Sequence, residues 1–227
     1  MSPTNKPRKR VDNPPQKLQK TSRKWMYIAL VLIVITIAVV AFVILQNSSS
    51  NTQNNNGTPA GNPVAVFDTN LGTFKVELFR DKMPTTVNNF VKLVNDGFYN
   101  GIIFHRIKAG FMIQSGQQTA DGTVKTSPYG NIQFETSDVT HVDGAISMAS
   151  TGSKVGGSAQ FFICDGAQPD LDGNYAAFGV VTEGLDVVHT IATQPNDGSL
   201  EPTPENPNLP GGGKPLTDII INSITIE

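Results

Sequence analysis

Phe104-His105-Arg106-Ile107-Lys108-Ala109-Gly110-Phe111-Met112-Ile113-Gln114-Ser115-Gly116 is the stretch on which the fold turns. It sets one guanidinium, Arg106, in a short apolar run. Gly110, a second apolar run and the amide of Gln114 follow. Short apolar runs punctuated by glycine read as strands joined by turns, which predicts strands over 102–107 and 111–114. A second amide–aromatic cluster, Gln160-Phe161-Phe162-Ile163, stands beyond a Gly/Ser-rich loop at 151–158.

Outward from these runs the pattern stays strand-rich. Val64-Ala65-Val66-Phe67 and the stretch 74–79 flank Asn70-Leu71-Gly72, a hairpin signal with alternation in its second arm. Further strands are expected at 145–149, 160–164, 178–181 and 219–226. Val87, Phe90, Val91 and Val94 fall at i, i+3, i+4 and i+7, with Pro84 before them and Gly97 after, so 85–96 reads as a helix. A second helix is expected at 185–192. Many short strands, frequent glycine and two isolated helices point to an antiparallel barrel or sandwich capped by helices. The Pro/Gly/Asn-rich segment 195–215 reads as a long loop before the last strand.

The two motifs resemble the signature of the cyclophilin-type peptidyl-prolyl cis-trans isomerases. That family reads F-H-R-x-x-x-x-F-M-x-Q-x-G, then S-M-A and Q-F-F-I. Both parts stand here in that order, the second as Ser147-Met148-Ala149 and Gln160-Phe161-Phe162-Ile163. The resemblance covers nearly all of 64–227. It implies a mainly β fold: a closed eight-stranded antiparallel barrel with a helix over each end. It also implies an enzyme that acts on proline-containing polypeptides with no cofactor.

Rotation about an X–Pro bond crosses a barrier of about 18–20 kcal/mol set by amide resonance. Uncatalysed, it takes tens to hundreds of seconds. No bond breaks, so neither a nucleophile nor a metal is required. A catalyst must favour the twisted amide, whose nitrogen gains a lone pair, over the planar one. Arg106 matches the family's essential arginine and is the expected donor; outside this motif such a residue would read as a surface ion-pair partner. Gln114 matches a glutamine that binds substrate backbone and helps place the arginine. Phe111, Met112, Phe162 and Leu171 match the proline pocket, although periodicity alone does not distinguish pocket from core. Ala149 and Ser150 match the strand that pairs with substrate, and Gln160 lies on the matching substrate-side surface. Tyr175 stands where many relatives carry histidine and is expected at the pocket rim. Asp170 replaces an aromatic of some relatives, which implies weakened affinity for the cyclic peptide cyclosporin. Ser115-Gly116-Gln117 replaces the usual Gly-Gly-Asp, a turn change whose effect cannot be derived from sequence.

Other chemistries find little footing. His105, His141 and His189 lack metal-ligand spacing, and the loop 151–158 lacks the Walker spacing for a phosphate. Cys164 is the single cysteine, so no intrachain disulfide forms, and its apolar neighbours predict a buried thiol.

Composition divides the remainder. Residues 1–24 carry eight Lys/Arg against one acid, with four prolines, which predicts a disordered basic tail. Residues 25–45 are apolar apart from Trp25, Tyr27 and Thr36. These twenty-one residues would reach about 31 Å as a helix, enough to cross a bilayer. No charge follows until Asp68, so charge bias predicts a signal anchor in the cell membrane, N-terminus cytoplasmic and domain outside. A cleaved signal peptide would have a shorter apolar run and a small-x-small site. Residues 46–63, rich in Asn, Ser, Gln and Thr, read as a flexible tether. The domain 64–227 then holds nine Lys/Arg against eighteen Asp/Glu, a formal charge of −9. That balance argues against nucleic acid as a partner. The expected form is therefore a monomeric isomerase domain anchored in the lipid bilayer through 25–45, assisting the folding of exported or membrane-proximal proteins. The alternative is a tethered chaperone or adaptor that binds proline peptides without turnover.

Overall fold

The computed structural model describes residues 61–227. The basic tail, the apolar segment 25–45 and most of the tether lie outside the described residues. Among the described residues no helix is long and apolar enough to cross a membrane.

Nine strands form one antiparallel sheet. They are β1 (Val64–Thr69), β2 (Gly72–Leu78), β3 (Ile102–Ile103), β4 (Arg106–Lys108), β5 (Met112–Ser115), β6 (Ala145–Met148), β7 (Phe161–Cys164), β8 (Ala176–Glu183) and β9 (Ile220–Ile226). Their order across the sheet is β3-β9-β1-β2-β8-β6-β7-β5-β4. The expected closed barrel of eight strands is therefore corrected to an open ladder of nine. The reason lies in the segment predicted as one strand at 102–107, which breaks at Phe104 and His105. Phe104 N–H bonds to the Ile219 carbonyl, while His105 N–H turns to the Gln114 carbonyl. The two halves thus pair with opposite ends of the sheet, β3 with β9 and β4 with β5. The curled sheet meets itself through the chain, without a tenth ladder of hydrogen bonds.

Helix α1 (Pro84–Asn95) packs against β8 and β9, and α2 (Leu185–Ala192) against β2, β4 and β5. Both stand where sequence placed them. Met83 gives α1 no side-chain cap. The Glu135 carboxylate takes that role from a distant loop, accepting the N–H groups of Thr85 and Thr86 at 3.1 and 2.8 Å. Proline near the first turn is tolerated because its missing N–H would have no intrahelical partner there.

The core is aromatic. Phe67 and Phe74 stack at 4.6 Å across the β1–β2 hairpin, and Phe161 meets Phe90 edge-on at 5.7 Å. Alternation decides which residues enter it. Ile107, Ile113, Ile163 and Ile146 form one cross-strand row from β4 to β6, all fully buried in this core. The neighbouring rows, offset by one residue, face the other way and build the site.

Candidate active site

Register fixes the outer row. Arg106 on β4 stands opposite Gln114 on β5, Gln114 opposite Phe162 on β7, and Phe162 opposite Ser147 on β6. The adjacent outward row brings Met112 opposite Cys164. Met112, Phe162, Cys164 and Ala145 form an apolar cluster of their own, separate from the core, with Phe111, Ala149, Leu171 and Tyr175 packed on it. The sheet thus answers what periodicity left open, because these side chains lie on the face away from the main core.

They enclose a pocket of about 210 Å³, lined by Arg106, Phe111, Met112, Gln114, Ala149, Ser150, Phe162, Leu171 and Tyr175. Nine of the ten residues expected at the site therefore meet around one cavity. Gln160 does not line it. It lies in an adjoining, more polar pocket of about 290 Å³ with Gln117 and the loop residues Gly156, Gly157 and Ser158, and Gln114, Ala149 and Ser150 are shared between the two. Tyr175 closes the rim, its ring edge-on to Phe162 at 5.9 Å. Leu171 ends a short 3-10 turn, Pro169–Leu171, that sequence reading did not foresee.

Arg106 is half-buried and tightly held. Its Nε donates to the Gly211 carbonyl at 3.2 Å, and its Nη2 donates to the carbonyls of Pro210 and Gly211, both at 3.0 Å. Nη1 reaches Gln114 Oε1 at 3.4 Å, and the guanidinium carbon lies 5.7 Å from the centre of the Phe111 ring. Burial pushes the guanidinium pKa down, opposed by the negative charge of Glu201 and then by Tyr175. Its ordinary value is so high that it stays charged. Gln114 is fixed in turn: its Nε2 donates to Gln160 Oε1 at 2.9 Å, and Gln160 Nε2 donates to Gln117 Oε1. Gln117, in the turn whose sequence departs from the usual pattern, is thus the anchor of an amide chain ending at the arginine.

A buried histidine backs the pocket. His141 stacks on Phe162 at 5.9 Å between ring centres. Its Nδ1 and its backbone N–H both meet Asp172 Oδ1, at 2.8 and 2.7 Å, and its Nε2 meets Ser147 Oγ at 3.0 Å. These bonds, led by the backbone one, hold the Asp172 carboxyl below its usual range. Sequence reasoning passed over His141 and Asp172, since thirty-one residues separate them and no motif joins them. Cys164 is buried as expected, its thiol pushed up to about 12 by burial and by the charges of Asp143 and Asp172. No group of three or more His, Cys, Asp or Glu among the described residues is arranged to hold a metal ion.

Comparison with known proteins agrees with this geometry. The family described as "Cyclophilin type peptidyl-prolyl cis-trans isomerase/CLD" matches residues 64–225. A peptidyl-prolyl cis-trans isomerase of Synechococcus elongatus is 44% identical over 129 residues, covering 56% of this chain and 87% of that one. The isomerase CYP18-1 of Arabidopsis thaliana is 38% identical over 165 residues, covering 71% of this chain and 94% of that one. A crystal structure of a Cryptosporidium parvum cyclophilin type isomerase, obtained in the presence of the dipeptide Ala-Pro, superimposes with a TM-score of 0.62 at 32% identity, covering 72% of this chain and 98% of that one. The family match takes in all but the last residue of the sheet and every residue lining the pocket on its outer face, and the chain accordingly belongs to the cyclophilin-type peptidyl-prolyl cis-trans isomerases.

Proposed function

We propose that Arg106 and the apolar pocket beside it stabilise the twisted X–Pro amide, and that the domain does so for exported or membrane-proximal chains from the end of a membrane tether. The observation that carries the first part is a fixed cation at the mouth of a cavity walled by Phe111, Met112, Phe162 and Leu171. Apolar walls hold a proline ring and strip water from the carbonyl, whose hydration favours the planar form. Arginine has five N–H donors. Here Nε and Nη2 are spent on loop carbonyls, so Nη1 is the edge available to the developing lone pair. Such a donor accelerates only to the extent that it binds the twisted state more strongly. An acceleration of about 10⁵ needs roughly 7 kcal/mol of that preference. The Ala-Pro dipeptide used with the C. parvum relative supports proline-containing peptides as the ligand here. Support for the tether is the basic block and the apolar run of 25–45 that precede the domain.

The test is the cis-to-trans rate of an X–Pro peptide with the full chain, wild type beside Arg106→Ala. The expected result is a fall in kcat/KM of about 10²- to 10³-fold, the cost of removing one preorganised donor from a transition state. Peptide binding is expected to survive the change. A variant that turns over like wild type would remove Arg106 from the mechanism. A wild-type protein that binds the peptide without accelerating it would favour the tethered adaptor.

A further inference from the structure

We infer that Glu201 is a positioning residue for Arg106, acting through the glycine run of the loop before the last strand. This rests on the reading of Arg106 as the donor. Residues 201–208 are exposed, yet Gly211 to Gly213, further along the same loop, are buried, and Gly211 lies against the arginine. Glu201 Oε1 accepts the Gly212 N–H at 2.6 Å. Backbone bonds lock the same turn: Gly211 N–H to the Leu200 carbonyl at 2.7 Å, Leu200 N–H to the Gly212 carbonyl at 2.9 Å, and Ile107 N–H to the Gly213 carbonyl at 3.0 Å. The carbonyls of Pro210 and Gly211 are thereby aimed at Nε and Nη2, and three of the four hydrogen bonds on the guanidinium come from this loop.

The close approach explains the glycines. Gly211 and Gly212 have φ of +82° and +79°, which side chains rarely adopt. A Cβ on Gly212 would lie 2.2 Å from the Ile107 carbonyl oxygen, so the turn presses directly on the strand that carries Arg106. With Nε and Nη2 pinned from behind, Nη1 is left at one position facing the pocket. Glu201 thus orients a group it does not itself touch by hydrogen bond, while its charge favours the cation. A misplacement of even about 1 Å at a transition-state donor costs up to roughly 10²-fold in rate.

The experiment is a double-substitution cycle on the full chain, with X–Pro isomerisation as the readout. Glu201→Ala is expected to lower kcat about tenfold with KM within about twofold of wild type, because the interaction lost belongs to the transition state. Glu201→Gln keeps an acceptor for Gly212 N–H, and is expected to recover to within about threefold of wild type. In an Arg106→Ala background, Glu201→Ala is expected to leave the residual rate unchanged. Wild-type turnover by Glu201→Ala, alongside a collapsed Arg106→Ala, would overturn the inference and leave the role of Arg106 standing. An equal loss in both backgrounds, or an effect confined to KM, would also overturn it. Full activity in Arg106→Ala alone would instead remove the reading beneath it.

Discussion

Asp172 is a single residue on which two walls of the apolar pocket beside Arg106 depend. Its Oδ1 accepts both from the backbone and from the ring edge of His141, whose face stacks on Phe162, while Asp172 directly follows Leu171. The imidazole is fully shielded from solvent. Removing the acceptor leaves a buried N–H and a ring nitrogen without partners, and such groups cost about 1–3 kcal/mol each. Asp172→Ala is expected to lower stability by about 2 kcal/mol in urea denaturation and to raise KM for X–Pro peptides. A variant as stable as wild type would show that His141 finds another partner. The sign of the pH effect follows from the lowered carboxyl pKa. The stability Asp172 contributes is full above its unfolded value of about 3.9, and disappears as pH falls through the lower folded value. Arg106 and Phe162 were legible because the two motifs contain them, and Leu171 because the family resemblance extends to it. Asp172 was not, because its value lies in a contact made across the fold.

At the scale of elements, α2 is tied to the β4–β5 turn beside the site through His189 and Asp165. His189 Nδ1 pairs with Asp165, and its Nε2 lies 3.4 Å from Asp143. Asp165 grips the β4–β5 turn from both sides. Its Oδ2 accepts the Gly110 N–H at 2.6 Å, and its own N–H donates to the Phe111 carbonyl at 3.0 Å. The bond to Asp165, then the nearby charges of Asp143, Asp165 and Asp186, raises the His189 pKa. A raised histidine contributes stability fully below its unfolded value of about 6.5, and loses it as pH rises through the folded value. The stability gap between wild type and His189→Gln is therefore expected to be larger at pH 5.5 than at pH 8.5, measured by urea denaturation. An equal gap at both would dissociate the ion pair from folding. Helix positions and most strands were readable from apolar spacing, since that spacing is a property of neighbours in sequence. The break at Phe104–His105 was not, because it is set by which carbonyl outside the run accepts each N–H, Ile219 for Phe104 and Gln114 for His105.

For the whole molecule, the acidic domain and the basic N-terminal segment carry opposite charge. Under the proposed topology, isomerase activity is expected to sediment with membranes. A protease added outside the intact, sealed cell membrane should digest the domain and spare the tail. Activity in the soluble fraction, or a domain protected until lysis, would exclude an anchored outward orientation.

The order of the two motifs and most of the strand and helix pattern were written in the sequence, because alternation and spacing are local, whereas the pocket residues were legible only through the family resemblance of those motifs. Tertiary structure alone decided that nine strands form an open ladder, that Gln160 belongs to a neighbouring pocket, and that the 195–215 loop holds the catalytic candidate. Arg106 and Gly211 are 105 residues apart. Nothing in either neighbourhood encodes their contact. It exists because β4 ends the sheet where the loop returns to it, and a side chain's partners there are set by chain path and register.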